Sequence, residues 1–319
     1  MDKKFYCVID IGGTKILMLL IDAEGRVLFK EKHSTPVPKL PELIIGTIKS
    51  LLVKGKAKAG FDTDAAAEGI GLCIAGFIDH RNGIVYQSPN LDWQDPVKVC
   101  KMLEKVTGCP VIIENDANAA VLGEVHFGAA RGHKDVVYIT ISTGIGGGLF
   151  LDGQLYRGSS GFAGEIGHIK PFGRGRGCKC GGNNCLEAWA SGTGLSRSAE
   201  ELWNKNELNN GRITAEKLFM MADEGNTLAL EIVNHAAENL GYGLSNLVNL
   251  FNPTCIVLGG GIAGNRNDFI KKIENKVFAE AIYPSTRITR LFIKKAELEP
   301  EAGIWGMYAL LTNKVVDND

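Results

Sequence analysis

The chain opens with two apolar runs joined by a glycine turn, FYCVIDI-GGTK-ILMLLID over residues 5–22. Each run ends at a turn signal, a pattern that predicts a buried β-strand. We therefore expect strands over 5–11 and 16–22 that form a β-hairpin across Gly12-Gly13-Thr14-Lys15. A second turn signal, Asp22–Gly25, leads into a predicted third strand over 26–32. Strands and helices follow one another along the rest of the chain, which indicates the α/β class.

The same pattern of strand, glycine turn and strand returns in the middle of the chain. Val136–Ser142 predicts a strand, Gly144–Gly148 a bend, and Leu149–Leu151 a returning strand. This weak internal similarity predicts two related halves that face each other across a cleft. Other predicted strands are 70–75, 111–114 and 255–258. The predicted helices are 42–53, 97–106, 117–127, a long helix with an apolar stripe over 228–247, and 301–313.

Composition excludes several classes of protein. The chain has 319 residues, 45% hydrophobic and 22% charged, as in ordinary globular proteins and unlike collagen, disordered chains or coiled coils. Its net charge of -1 provides no overall field for nucleic acid or an anionic membrane. Its apolar runs are shorter than the ~20 residues of a membrane span, and Asp10 interrupts any signal-peptide core. We expect a cytoplasmic protein that binds neither nucleic acid nor membranes.

Glycine is enriched, and its 40 residues occur in clusters, which indicates close approach of the backbone to a ligand. In Asp10–Lys15, backbone N–H groups of the glycines and the Thr14 hydroxyl can converge on an anion, and Asp10 can hold a metal cation. A plain hairpin turn explains this segment equally well. Ser142–Gly148 is a second candidate of the same kind, which favours anion binding. The chain contains no P-loop motif.

Polar residues follow a predicted strand at Glu114-Asn115-Asp116. Asp116 is a good helix N-cap by residue type, and it can equally accept a proton from a substrate hydroxyl. Asn115 can orient the same substrate. Asn90 is similar, although an asparagine in a loop is more often a turn former.

The most specific pattern combines Gly164-Glu165-Ile166-Gly167-His168 with three cysteines, Cys178, Cys180 and Cys185. Three thiolates and an imidazole within one short stretch suit a closed tetrahedral zinc site. A disulfide is a poor alternative, because nothing indicates export and three cysteines leave one unpaired. The other five cysteines stand singly in mostly apolar contexts and are expected to be buried. A zinc ion with saturated ligands is structural, and it would order the loop and orient Glu165, His168 and Glu187.

Together these motifs resemble the ROK (repressor, open reading frame, kinase) family. Its sugar kinases have the two-domain actin/hexokinase-like (ribonuclease H-like) α/β fold with a ligand cleft between the domains. The resemblance covers nearly the whole chain. It implies a small α/β domain over 1–117 plus a C-terminal helix at about 301–319, and a large α/β domain over 118–300 with the zinc loop 168–185. Asn184 stands where the family usually has glycine; because asparagine tolerates positive φ, we expect the loop to be retained.

The resemblance also implies roles for individual residues. Asp116 is the implied general base. The implied sugar-binding residues are Asn90, Asn115, Asp116, Glu165, His168 and Glu187. The implied ATP-binding residues are Asp10, Gly12, Gly13, Thr14, Lys15, Thr143, Gly144, Gly259, Gly260 and Gly261. The implied zinc ligands are His168, Cys178, Cys180 and Cys185.

The implied activity is phosphorylation of a hexose by ATP with Mg²⁺, in carbohydrate metabolism. Glucose, converted to glucose 6-phosphate in glycolysis, is the expected sugar because the overall likeness is to the family's bacterial glucokinases. Fructose, mannose, allose, N-acetylmannosamine and N-acetylglucosamine stay open. A non-catalytic sugar-binding regulator is an alternative, and a repressor would need a DNA-binding segment before the first strand, which only four residues precede. The expected partners are the sugar, ATP and a second copy of the chain in a homodimer.

Overall fold

The computed structural model describes residues 4–171, 175–203, 213–264 and 266–312. The chain divides into two compact units. The first unit comprises Met1–Gly128, Gln154–Ala163 and Pro300–Asp319, and the second comprises Ala129–Gly153 and Gly164–Glu299. Among the described residues, no helix has the length and apolar character needed to cross a membrane.

The helices and strands follow one another along the chain. They are β1 (Phe5–Ile11), β2 (Lys15–Asp22), β3 (Val27–Ser34), α1 (Pro41–Ala59), β4 (Gly69–Ile74), β5 (Phe77–Asp79), β6 (Ile84–Gln87), α2 (Val99–Thr107), β7 (Val111–Asn115), α3 (Asp116–His126), β8 (Val136–Ile141), β9 (Ile145–Leu151), β10 (Gln154–Leu155), α4 (Leu186–Ala190), α5 (Gly192–Leu202), α6 (Ala215–Asp223), α7 (Thr227–Phe251), β11 (Cys255–Gly259), α8 (Gly260–Ala263), α9 (Asn267–Glu280), β12 (Phe292–Lys295) and α10 (Ala302–Leu311).

The first unit is built on a sheet with the strand order β3-β2-β1-β4-β7. The predicted hairpin is confirmed: β1 and β2 pair antiparallel from Phe5 opposite Asp22 to Ile11 opposite Ile16. β4 and β7 then add parallel to β1. The central strands are buried on both faces, which explains their continuous apolar sequences. Because β1, β4 and β7 are parallel, their carboxyl ends lie at one edge of the sheet.

The second unit repeats this arrangement, with the strand order β10-β9-β8-β11-β12. β8 and β9 pair antiparallel, while β11 and β12 add in parallel, so the predicted internal repeat is confirmed. One detail differs from the prediction: Gly146–Gly148 lie within β9 rather than in a bend. Gly147 is needed there because a methyl group on it would lie 2.6 Å from the backbone oxygen of Gly164.

The C-terminal helix is confirmed as α10, whereas 313–319 lie outside the described residues. α10 packs closely on α3, since neither Gly123 nor Gly306 has room for a side chain. All of α3 lies in the first unit with α10, and so does Gln154–Ala163, whereas the predicted boundary was at residues 117/118. α3 and α10 are far apart in the chain, so their contact has no local sequence signal.

Two further expectations concern burial. The stripe predicted over 228–247 lies on α7, which packs its apolar residues into the core of the second unit. The helix ends at Phe251, and Asn252 caps it just before Pro253. The five single cysteines are all buried, as predicted: Cys7, Cys73, Cys100, Cys109 and Cys255.

Candidate active site and metal centre

The carboxyl edge of the first sheet brings two predicted site residues to one buried thiol. Asp10 on β1 is paired with Cys73 on β4, and Cys73 is paired with Glu114 on β7. Burial raises the pKa of Cys73 well above its ordinary value, and the negative charges of Asp10 and Asp116 raise it further. Both carboxylates therefore lie close to this thiol, which joins the predicted cation ligand and the predicted base in one cluster.

Asn115 is the N-cap of α3. Its Oδ1 accepts hydrogen bonds from the backbone N–H groups of Ala117 (2.9 Å) and Asn118 (3.2 Å), and its Nδ2 donates to the backbone oxygen of Gly76 (3.1 Å). The capping role considered for Asp116 thus belongs to its neighbour, and Asp116 is the first residue of the helix. These hydrogen bonds hold the backbone on either side of Asp116, the predicted base.

The first glycine loop is held by its own backbone and by Thr35. The Gly12 N–H donates to the Lys15 oxygen (2.9 Å), and the Thr35 N–H donates to the Thr14 oxygen (3.1 Å). The Thr35 hydroxyl also donates to the Gly12 oxygen (2.7 Å). Thr35 is buried, so these two hydrogen bonds anchor the loop to the interior of the unit.

Asn90 lies against the tip of this loop. A methyl group on Gly13 would lie 2.5 Å from the Asn90 backbone oxygen, so only glycine fits there. The same oxygen accepts a hydrogen bond from the Lys39 ammonium group (2.9 Å). The structure therefore brings together the predicted phosphate loop and a predicted sugar-binding residue.

In the second unit, Glu187 supports the second glycine loop. Its Oε2 accepts a hydrogen bond from the Ile145 N–H (3.0 Å), and a methyl group on Gly144 would lie 2.6 Å from that oxygen. The Thr143 oxygen accepts hydrogen bonds from both the N–H (3.2 Å) and the hydroxyl (2.9 Å) of Thr193. The predicted sugar-binding carboxylate thus also positions the predicted phosphate loop.

The third glycine motif, at the end of β11, is held by Glu299. Its Oε1 accepts hydrogen bonds from the Tyr138 hydroxyl (2.6 Å) and the Gly260 N–H (3.0 Å). Gly260 has φ of +86°, and a methyl group on it would lie 2.6 Å from the Ile141 nitrogen. Gly259 and Gly260 are buried, whereas Gly261 is exposed in open space.

The four predicted zinc ligands lie together in the second unit. One ligand atom from each of His168, Cys178, Cys180 and Cys185 lies within 4.8 Å of all the others. The Cys180 and Cys185 sulfurs are 3.6 Å apart, and the Cys178 sulfur is 3.9 Å from His168 Nδ1. Tetrahedral zinc with bonds of about 2.3 Å to sulfur places its ligands about 3.7 Å apart. The donor set and its spacing therefore fit zinc. Residues 172–174 of the predicted zinc loop lie outside the described residues.

Charge at this cluster also suits a metal. The hydrogen bond from the Gly182 N–H, with a smaller effect of Lys170, lowers the pKa of Cys180. Burial raises the pKa of Cys178 to about 11. The Lys170 ammonium group lies 2.9 Å from the Cys185 sulfur, and this contact raises the pKa of Lys170. A metal ion binds the thiolate form of cysteine. Lys170 places a positive charge beside this cluster, which favours that form.

His168 presents its two ring nitrogens to different groups. Nδ1 faces the cysteine cluster, and Nε2 lies 3.7 Å from Glu165 Oε2. Glu187 Oε1 lies 3.9 Å from the Cys178 sulfur. His168 thus links the cysteine cluster to Glu165, and both predicted sugar-binding glutamates lie beside this cluster.

Asn184 has φ of +59°, the conformation that we expected it to tolerate. Its side chain accepts a hydrogen bond from Trp189 Nε1 (2.9 Å) and donates to the Pro171 oxygen (3.2 Å). A glycine at this position could make neither of these two hydrogen bonds.

The predicted site residues are divided between the two units. In the first unit they are Asp10, Gly12, Gly13, Thr14, Lys15, Asn90, Asn115 and Asp116. In the second unit they are Thr143, Gly144, Glu165, His168, Cys178, Cys180, Cys185, Glu187, Gly259, Gly260 and Gly261. Glu114, Arg157, Tyr138 and Glu299 were not predicted to support the site. Glu114 stands beside the predicted base and could have been singled out, whereas the other three have no local signal.

Known proteins resemble this chain over most of its length. The ROK family model matches residues 6–314. A glucokinase of Halalkalibacterium halodurans is 36% identical over 292 residues, which cover 88% of each chain. A xylose repressor of Caldicellulosiruptor bescii is 30% identical over 97% of this chain and 78% of its own length.

A solved structure extends the likeness to three dimensions. It is a ROK family glucokinase from Streptomyces griseus in complex with glucose and AMPPNP, 33% identical, with a TM-score of 0.78 over 96% of this chain and 98% of that one. The two-domain actin/hexokinase-like fold is thereby confirmed. The chain belongs to the ROK family.

Proposed function

We propose that this protein transfers the γ-phosphoryl group of ATP to a hexose, with glucose as the substrate and glucose 6-phosphate and ADP as products. One observation carries the proposal: Asp116 stands at the start of α3, which Asn115 caps, and both Asp116 and Asp10 lie close to the Cys73 thiol. The similarity to a glucokinase that binds glucose and an ATP analogue supports the choice of both substrates.

Asp116 is the proposed general base. Its carboxylate takes the proton of the sugar hydroxyl as that oxygen attacks the γ-phosphorus. The bond from the γ-phosphorus to the bridging oxygen breaks, and ADP leaves. Because little covalent chemistry falls to the protein in phosphoryl transfer, orientation and charge neutralisation supply most of the rate.

The glycine loops are the proposed ATP site. Gly13, Thr14 and Lys15 offer N–H, hydroxyl and ammonium donors to phosphate oxygens, while Gly12, whose N–H donates to the Lys15 oxygen, shapes the loop. Thr143 and Gly144 offer further donors in the second unit. Gly259–Gly261 are proposed to lie on the adenosine side. Asp10 supplies the carboxylate for Mg²⁺, the ion that neutralises phosphate charge.

A closed set of one imidazole and three thiolates leaves no open coordination position, so the proposed zinc is structural. Its proposed task is to keep His168, Glu165 and Glu187 oriented toward sugar hydroxyls. A site in which buried groups each bond one hydroxyl discriminates against an epimer, because the epimer leaves a group unpaired.

There are two alternatives to glucose phosphorylation. The first is a kinase of another sugar: fructose, mannose, allose, N-acetylmannosamine or N-acetylglucosamine. The second is a non-catalytic sugar-binding regulator. The likeness to a xylose repressor favours the second of these. The presence of a carboxylate at the position of the base favours an enzyme. The homodimer and the cytoplasmic location are also proposals, and light scattering and cell fractionation test them.

The deciding experiment is a coupled ADP-release assay with ATP and Mg²⁺ over a panel of hexoses and N-acetylhexosamines. We expect turnover to be fastest with glucose and to fall at least about 10²-fold in Asp116→Asn, with the glucose affinity nearly unchanged in calorimetry. The matched control is Asp64→Asn, an exposed aspartate of the same unit, which should turn over normally.

The outcomes separate the candidates. Faster turnover of another hexose would replace glucose as the substrate. Sugar binding with neither ADP release from ATP nor sugar phosphate formed from polyphosphate would favour the regulator. Unchanged turnover in Asp116→Asn would remove Asp116 as the base.

A further inference from the structure

Arg157 lies in Gln154–Ala163, a segment from the middle of the chain that belongs to the first unit. The segment is packed rather than loose. The ring of Phe162 meets the ring of Phe77 edge-on at 5.5 Å, and the Ala163 N–H donates to the Arg157 backbone oxygen at 3.0 Å. The Arg157 side chain therefore starts from a fixed backbone.

This side chain forms a buried ion pair with Glu114. Arg157 Nε donates to Glu114 Oε2 at 2.7 Å, and the two side chains are 10% and 3% exposed. A buried ion pair is weak evidence for stability, because an apolar pair of similar volume often stabilises a core as well. Removing only one partner, in contrast, leaves an uncompensated charge in the core. The local surroundings of the pair indicate what it does.

Glu114 links the two sides of the turn that carries Asp116. Its Oε1 accepts hydrogen bonds from the Asn115 N–H (2.9 Å) and from Asn118 Nδ2 (3.0 Å). One contact lies before Asp116 in the chain and the other lies after it, in the first turn of α3. The carboxylate is therefore a clamp across this turn, and the ion pair sets its position.

We infer that Arg157 is a positioning residue for Asp116, acting through the Glu114 clamp. The inference rests on the proposed function, in which Asp116 is the base. Arg157 has two effects: it holds the clamp in place, and it cancels a negative charge two residues from the base. An uncancelled charge there would disfavour ionisation of Asp116.

Several other charged or titratable groups lie on the elements packed around this charge. Asp10 and the thiol of Cys73 lie on the neighbouring strands, and Glu124 and His126 lie further along α3. The elements packed against β7 add Asp79 on β5 and Lys101, Glu104 and Lys105 on α2. α10, which packs on α3, has no charged residue in Ala302–Leu311. Among the described contacts, Arg157 supplies the positive charge that pairs with the Glu114 carboxylate.

Arg157→Met tests the inference, because methionine keeps the volume and removes the charge. We expect kcat to fall about 10- to 100-fold, as for a catalytic group displaced by a fraction of an ångström. KM for ATP should change less than about threefold. The acid limb of the kcat profile should move to higher pH. A loss of packing alone would not move that limb. The matched control, Arg26→Met, removes an exposed arginine paired with Asp22 in the same unit and should leave all three quantities unchanged.

Two further variants keep the test decisive. In Glu114→Gln/Arg157→Met no charge is left uncompensated, so the acid limb should return to its wild-type position and kcat should recover in part. Glu114→Asp keeps the charge but shortens the clamp by one methylene, so kcat should fall even if Arg157→Met does not fold. Wild-type kcat in Glu114→Asp, or wild-type kcat and acid limb in folded Arg157→Met, would overturn the inference. Absence of sugar turnover in the wild type would overturn the proposed function instead.

Discussion

Gly13→Ala perturbs a place where the first glycine loop contacts Asn90. The added methyl group would lie 2.5 Å from the Asn90 backbone oxygen. The neighbour is backbone rather than the end of a flexible side chain, so it cannot rotate away. Thr35 holds the loop on its other side through two hydrogen bonds. The loop and the Asn90 segment must therefore move apart.

The size of the effect follows from this distance. Carbon and oxygen approach comfortably at about 3.3 Å, so the two segments must separate by roughly 0.8 Å. A misplacement of about 1 Å costs on the order of 10²-fold in rate. We expect kcat/KM to fall about 10- to 100-fold for ATP and for the sugar together, which corresponds to about 1.4 to 2.8 kcal/mol of transition-state stabilisation.

The assay is the ADP-release reaction with each substrate varied in turn. The control is Gly46→Ala, which adds the same methyl group to helix α1 of the same unit, where no atom lies within 4 Å. The control should keep its kcat/KM and gain about 0.5 to 1 kcal/mol in its free energy of unfolding from helix propensity. If Gly13→Ala folds and both kcat/KM values stay within threefold of wild type, the contact between this loop and Asn90 is not part of the working site.

Two further predictions concern cysteines. Cys180→Ser removes one ligand of the proposed zinc. Metal analysis should therefore find zinc in the wild type and little in the variant, and the sugar affinity measured by calorimetry should fall in the variant. A wild-type protein without zinc would refute the site. Burial raises the pKa of Cys100 from 9.0 to about 12, so the thiol ionises in the unfolded chain first and the free energy of unfolding falls as pH rises from about 9 toward 12. Cys100→Ala should lose about 1.4 kcal/mol less than wild type between pH 8 and 10 in reducing urea titrations, and it should keep its zinc; equal slopes would contradict the reasoning.

Features with local causes were predictable from the sequence. A strand buried on both faces needs a continuous apolar run, so the hairpin over 5–22 and the strands near 136 and 255 could be recognised without tertiary information. The cysteine cluster was equally local, because its four ligands lie within one short stretch. The short hairpin of β5 and β6 was not predicted, since neither strand is long enough to show periodicity.

Choices between neighbours and contacts distant in sequence were not predictable. Asn115 and Asp116 are both good N-caps by type, and only the direction of the chain at the end of β7 decides that Asn115 caps α3. Arg157 reaches Glu114 across 43 positions, and Tyr138 reaches Glu299 across 161. Such contacts leave no spacing pattern, because the tertiary fold alone brings the partners together.

The repeated topology shows that these unpredicted contacts are related. β7 and β12 have the same place in the strand orders of the two units, at the edge beyond the parallel pair. Glu114 lies near the end of β7 and supports the turn that bears Asp116, while Glu299, just beyond β12, supports Gly260. In both halves, a glutamate in or after the last parallel strand accepts a hydrogen bond from a backbone N–H of a predicted site segment. Glu114 lies inside its strand and Glu299 lies after its own, so the two would not align in sequence. For this reason the internal repeat can be recognised from the strand pattern but not from the positions of the supporting glutamates.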